Sequence, residues 1–261
     1  MILNIASLPA PEKAAEGLLA KSSQCEPPLS FKELLTLLPG VRMSEENLDG
    51  SGYLVDLGKQ GAEILLKSSD PLVRKRFTAA HELGHWVLRS HGFPLTSETN
   101  EALRVAIEKW CDNFAAAVLM PQSWILNDLK DCSVLGSMRF LLEAPEDYEV
   151  SDEAFRLRVC EIVPMSLCEV HLRGNRLLLE RIYPSRFFDS GIVESVARRA
   201  AALPPLQRAA TGHFVDHQTK LDVVFQAADR AVLLCVIDSR KMGVQIKSPE
   251  FQAASPSQSW K

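Results

Sequence analysis

The sequence predicts an α+β fold, with helices around a small antiparallel sheet in a larger N-terminal domain and a smaller mixed α/β extension after it. Three observations carry this. Short strand-like runs separated by glycine-bearing turns lie between residues 41 and 67. Two long stretches, beginning near 70 and near 98, repeat apolar residues at helical spacing. Beyond about residue 185 the texture changes to short strand and helix candidates punctuated by proline.

Taken in order, residues 12–21 carry apolar positions at helical spacing, and a second short helix is expected over 30–38. Ser30 precedes Phe31, Leu34, Leu35 and Leu37 there, and Pro39-Gly40 stops the run. Strands follow at 41–44, at 53–57 after Asp49-Gly50-Ser51-Gly52, and at 62–67 after Lys59-Gln60-Gly61. Asp70-Pro71 then opens a helix, with Asp70 placed to cap free backbone N–H groups and Pro71 at the first position, where it loses no bond. Leu72, Val73, Phe77, Ala80, Val87 and Leu88 form its apolar face, and Gly92 offers a left-handed stop.

The next helix runs from about 98 to Met120 on the stripe Leu103, Ile107, Trp110, Phe114 and Val118, until Pro121 ends it. Helices are expected at 122–131, 134–143 and 152–162, and a strand at 176–183. After a soft boundary near 185 come a helix at 192–202, Pro204-Pro205 and strands at 221–226 and 231–237. The tail from 248 onward is rich in Ser, Pro, Gln and Ala and is expected to lack order. The expected organisation is therefore 1–185, 186–247 and a tail at 248–261.

A net charge of -4 argues against a protein that grips phosphate backbones, since that task needs a basic stripe. The basic clusters Arg74-Lys75-Arg76 and Arg198-Arg199 read as solvated helix faces. No direct nucleic-acid binding is expected. Six cysteines, at 25, 111, 132, 160, 168 and 235, lack Cys-x-x-Cys pairing and read as reduced thiols. The N-terminus has no basic region ahead of an apolar core, and the longest apolar runs are far below a membrane span. A cytoplasmic protein with no membrane partner is expected.

The chemistry concentrates at His81-Glu82-Leu83-Gly84-His85. Positions i and i+4 share a helix face, so His81 and His85 can offer imidazole nitrogens to one ion while Glu82 flanks it as a base. Such a pattern arises in roughly one random chain of this size per hundred, so its place in the middle of an amphipathic helix is what gives it weight. Gly84 costs about 1 kcal/mol of helix stability relative to alanine, which suggests close approach by another element.

A catalytic zinc site takes three protein ligands and keeps a position open, so one ligand is missing from the motif. His91, Glu98, Glu101 and Glu108 are the candidates. Glu98 and Glu101 fall in a first turn, where acids serve the helix dipole, whereas Glu108 sits mid-helix on a face continued by Cys111, Asp112 and Ala115. Asp112 could accept a hydrogen bond from the spare ring nitrogen of a ligand histidine. Tyr53, His91 and several arginines stay open as donors to an oxyanion.

The run Phe77 to Leu88, followed by Ile107-Glu108-Lys109-Trp110-Cys111-Asp112-Asn113-Phe114-Ala115-Ala116-Ala117-Val118-Leu119-Met120-Pro121, resembles the ImmA/IrrE family of metallopeptidases in order and spacing. Twenty-two residues, 86–107, separate His85 from Glu108. The resemblance covers about residues 12–185. It implies a zincin-like domain, a metal held by His81, His85 and Glu108 with Glu82 as catalytic base, zinc as the default ion and manganese as an alternative in the cell. It also implies that the substrate is a helix-turn-helix repressor, cut to derepress stress or mobile-element genes. A sensor-like role for 186–247 is a further implication. The alternative is a regulator that binds a repressor or senses a ligand on the same fold without cutting.

Overall fold

In the computed structural model the described residues are 8–93, 101–130, 134–173, 176–201, 209–216, 218–228, 231–237 and 252–253. The chain forms two compact units, Met1–Leu126 with Pro145–Ser151, and Asn127–Ala144 with Asp152–Lys261. Both helices and strands are present, as an α+β fold requires.

In the first unit, α1 (Pro11–Leu19) carries proline in its first turn, and α2 (Phe31–Thr36) is capped by Ser30, whose hydroxyl accepts from the Glu33 N–H at 3.2 Å. Strands β1 (Val41–Glu46), β2 (Gly52–Asp56) and β3 (Ala62–Lys67) form a sheet in the order β1-β3-β2. The antiparallel sheet expected from sequence is corrected here: β2 is antiparallel to β3, but β1 is parallel to it, with Val41 opposite Ala62 and Glu46 opposite Lys67. The connection from β1 through β2 makes this possible, because β2 takes the far side of β3 and leaves the near side to β1. Ala62, Ile64 and Leu66 alternate with half-buried neighbours along β3, so one face of the sheet is apolar.

That face rests on α3 (Leu72–Ser90). Its start also differs from the expectation. Pro71 is the N-cap, extended at φ -58° and ψ 152°, and its carbonyl accepts from Arg74 and Lys75, while Asp70 makes no cap hydrogen bond. The C-terminus closes as expected, with Gly92 at φ 84° and the Phe93 N–H returning to Leu88. Next comes α4 (Glu101–Leu119), whose buried stripe includes Leu103, Ile107, Trp110, Phe114 and Val118. Its expected first turn from 98 lies outside the described residues. The indole of Trp110 donates to the Pro9 carbonyl at 2.6 Å and stacks on Phe114, which ties the N-terminal arm to α4.

The basic run at the start of α3 is not a solvated face. Arg76 is buried, pairs with Glu149 at 3.0 Å, donates to the Leu29 carbonyl and lies over the Phe31 ring. Lys75 pairs with Glu45 at 2.6 Å, and Arg74 donates to Ser51. These cations hold the base of α3 in place.

Helices α5 (Gln122–Leu129), α6 (Val134–Asp147) and α7 (Asp152–Ile162) follow, then β4 (Met165–Arg173) and β5 (Arg176–Tyr183). The remaining elements are α8 (Ser190–Ala201), β6 (Ala209–Val215), β7 (Asp222–Ala228), β8 (Ala231–Ile237) and β9 (Gln252–Ala253). The six strands of the second unit form one antiparallel sheet in the order β5-β4-β8-β7-β6-β9. Val193, Val196, Ala197 and Ala200 of α8 cover one face, packing with Val170, Val223, Phe225, Val232 and Leu234.

The boundary expected near 185 therefore falls inside a sheet. β4 pairs with β8 along seven residues, Met165 to His171, so the hairpin before 185 and the strands after it share one core. Contacts divide the chain at 126/127 instead, with Pro145–Ser151 returning to the first unit. β4 and β6 were not expected from sequence, and β9 lies in the stretch expected to lack order. Pro204-Pro205, Cys132 and most of 248–261 lie outside the described residues. No helix among the described residues is long and apolar enough to cross a membrane.

Candidate metal centre

β2 runs along α3, and residues of one pleat face meet one stripe of the helix. A Cβ on Gly52 would lie 2.4 Å from Thr78 Cγ2, so only glycine lets the strand come this close. Two residues on, Leu54 makes a backbone hydrogen bond to the Glu82 carboxylate. Two further on, Asp56 pairs with Arg89 at 2.9 Å. Thr78, Glu82 and Arg89 share a helical face at steps of four and seven residues, matched to the two-residue period of the strand.

The opposite flank of α3 meets α4. A Cβ on Gly84 would lie 3.3 Å from both Cα and Cβ of Cys111 and 3.2 Å from Phe114 Cδ1. The glycine inside the motif thus sets how closely α4 approaches, and that brings Glu108 and Asp112 to the histidines. His81 Nε2 lies 3.2 Å from His85 Nε2 and 3.2 Å from Glu108 Oε2, and His85 Nε2 lies 3.7 Å from Glu108 Oε1. His81 Nδ1 lies 2.9 Å from Asp112 Oδ1. That contact assigns the Nδ1 proton, so Nδ1–H donates to the carboxylate and Nε2 keeps its lone pair.

Lone pairs from two imidazoles and a carboxylate converging at such distances repel unless a shared proton or a cation lies among them. Zinc bonds to nitrogen and oxygen of about 2.0–2.1 Å place tetrahedral ligand atoms about 3.3 Å apart, and the three separations here bracket that value. The residues fit a divalent ion. Cys111 is a further donor, with one ligand atom each of His81, His85 and Cys111 within 4.8 Å of one another. Glu108 offers carboxylate oxygens 3.2 and 3.7 Å from the two imidazoles, whereas burial, with Glu108, Glu82 and Asp112 adding to it, pushes the Cys111 thiol far up.

Burial raises the Glu82 carboxyl, against the nearby His81 charge, with Glu108 adding to the rise and the Leu54 hydrogen bond opposing it. The carboxyl therefore takes up a proton more readily than an exposed glutamate does. Burial, then the neighbouring His81 charge, lowers His85 and so favours the neutral imidazole that a metal requires.

The other sequence candidates stand apart. Glu101 pairs with Arg104 at 2.7 Å on the exposed side of its turn. His91 turns back on its own helix, with Nδ1 3.0 Å from the Val87 carbonyl oxygen. Tyr53 opposes Leu65 on the other pleat face of β2 from Leu54, and its hydroxyl folds toward Gly50. Glu98 lies outside the described residues. Sequence reasoning did not foresee the Leu54 backbone contact or the Asp56–Arg89 pair, since both depend on which strand lies along α3.

The IrrE N-terminal-like domain family matches residues 39–159. Over 107 residues the chain is 35% identical to the radiation response metalloprotease IrrE of Deinococcus radiodurans, a match that takes in 39% of this chain. It spans about a third of that relative's length, 32%. A transcriptional regulator of Mycobacterium tuberculosis is similar in fold, with a TM-score of 0.52 and 13% identity over 95% of this chain and 84% of that one. The segment that builds this centre lies within residues 39–159, where the chain is similar to the IrrE N-terminal-like domain family and to that metalloprotease.

Proposed function

We propose that this chain is a zinc-dependent endopeptidase whose metal is held by His81, His85 and Glu108, with Glu82 as the general base. The observation that carries the reading is the convergence of the three donors at 3.2 to 3.7 Å beside a half-buried carboxylate. Zn2+, or Mn2+ in the cell, supplies Lewis acidity when bound, polarising a peptide carbonyl and making water a nucleophile at neutral pH. Glu82 takes the proton of the attacking water and passes it to the departing amide nitrogen, which lets the amine leave uncharged. Leu54 steadies the Glu82 carboxylate through its backbone hydrogen bond, and Asp112 fixes the ring of His81.

β2 is an edge strand of its sheet, so an extended protein segment can add along its open side and bring a peptide bond past Glu82. The substrate in this reading is a helix-turn-helix repressor, cut to release stress or mobile-element genes, in keeping with the peptidase family and the metalloprotease relative. The protein is incubated with zinc and a candidate repressor, and the mixture is run on a gel. Two fragments from wild type and none from Glu82→Gln at equal metal content are expected. A stable complex with intact repressor would favour a regulator that binds without cutting.

A further inference from the structure

The donors around the imidazole pair differ in depth as well as in chemistry. The Glu108 side chain is 49% exposed, those of His81 and His85 are 16% and 14% exposed, and Cys111 is wholly buried. The histidines therefore have two further donors within reach, a hard oxygen on a half-exposed carboxylate and a soft sulfur on a wholly buried thiol. Ligand softness decides which third donor an ion selects: thiolate for thiophilic ions, carboxylate for harder ones.

We infer that Cys111 gives this centre a second, thiophilic binding mode, in which an ion such as Cd2+ takes His81, His85 and Cys111 and releases Glu108. The inference rests on the two histidines being metal ligands. As the sulfur–metal bond forms, the thiol proton passes to solvent, and neither sulfur nor metal changes oxidation state. The ion then rests on a wholly buried sulfur and gives up the half-exposed carboxylate of Glu108. Cys111 also serves as a spacer, since its Cα and Cβ lie 3.3 Å from where a Cβ on Gly84 would stand. Serine keeps that size and loses the soft donor, which separates the two roles.

The full chain is prepared with Cys25→Ser, which removes the one exposed thiol among the described residues, and compared with added Cys111→Ser or Glu108→Ala. Zn2+ and Cd2+ affinities are measured by chelator competition, together with the ultraviolet thiolate-to-cadmium charge-transfer band. A crossed result is expected. Cys111→Ser abolishes the band and weakens Cd2+ by about tenfold or more while leaving Zn2+ nearly unchanged, and Glu108→Ala weakens Zn2+ by about tenfold or more with little effect on Cd2+. Cadmium binding without the band, or a band that survives Cys111→Ser, overturns the inference. If Cys111→Ser does not fold, the cadmium NMR shift of the Cys25→Ser parent decides between sulfur and all-nitrogen/oxygen ligation. Unchanged affinity for both ions in a His81→Ala, His85→Ala double variant would instead overturn the histidine clamp itself, and this inference with it.

Discussion

At the scale of single residues the centre is a graded set, and its members should separate in metal affinity. Glu108 touches both imidazoles, so Glu108→Ala should weaken zinc steeply, leaving water to fill the vacated position. Asp112 acts on His81 from behind, and Asp112→Ala should cost about 10- to 100-fold. Glu101 pairs with Arg104 on an exposed surface, and its removal should change affinity little. Zinc dissociation measured by competition with a chromogenic chelator ranks the three, and a loss at Glu101→Ala with none at Glu108→Ala would break the assignment. In the second unit Asp216 is acid-sensitive. Two bonds from Arg199, with the backbone N–H and hydroxyl of Thr219, hold its carboxyl well below the usual range. A depressed folded pKa contributes stability above the unfolded value near about 3.9 and loses it as pH falls toward the folded one. Asp216→Asn should therefore lower the melting temperature at pH 7 and flatten its decline in acid. An unchanged pH dependence of melting would remove this carboxylate from the account.

Between residues and the whole, the decisive contacts are strand on helix and helix on helix. Gly52 lets β2 lie against Thr78, and Gly84 lets α4 lie against α3. Gly84→Ala would add about 1 kcal/mol of helix propensity. Against that, the new methyl meets the Cα of Cys111 at 3.3 Å, an atom held in the backbone of α4 that cannot swing aside. The two helices must part by a few tenths of an ångström, and they carry the three donors between them. Zinc affinity is expected to fall by about tenfold even where thermal stability is nearly unchanged, because a small misplacement of one ligand degrades the whole set. Parallel chelator titration and thermal melting of the variant check this. Equal affinity would mean that α4 accommodates the methyl without moving Glu108. Much of this level was legible: the His81-Glu82 helix, its glycine stop and the α4 stripe follow from local periodicity. The parallel pairing of β1 with β3 was not, since strand direction depends on which edge a returning chain occupies.

For the whole molecule, the six-stranded sheet changes what a shortened chain should do. Every proposed metal residue lies before 185, yet ending the chain there would strip β8 from β4 and uncover Leu167, Cys168 and Val170, all fully buried. The α8 side chains that cover one sheet face would go with it. Such a fragment presents a bare apolar edge and is expected to aggregate, as size-exclusion chromatography would show. A monomeric, zinc-binding fragment ending at 185 would mean that the β4–β5 hairpin is stable without its partners.

The sequence by itself determined the metal motif, the helix that displays it, the acid-bearing second helix and the α+β class, because each is written in short-range spacing that the backbone period converts directly into a face. Spacing alone left Glu108 among several candidates, with only the family resemblance naming it, and the sequence took Arg76 for a solvated cation when the chain uses it to anchor Glu149 and Leu29. It also put a boundary through a sheet. Tertiary structure decided these points. Which acid reaches His81 depends on how closely Gly84 lets α4 approach, and whether β4 belongs with β5 alone or with β8 depends on pairing across more than sixty residues, from Met165 to Ile237. Contacts of that range are set by burial of whole faces, which no local pattern records.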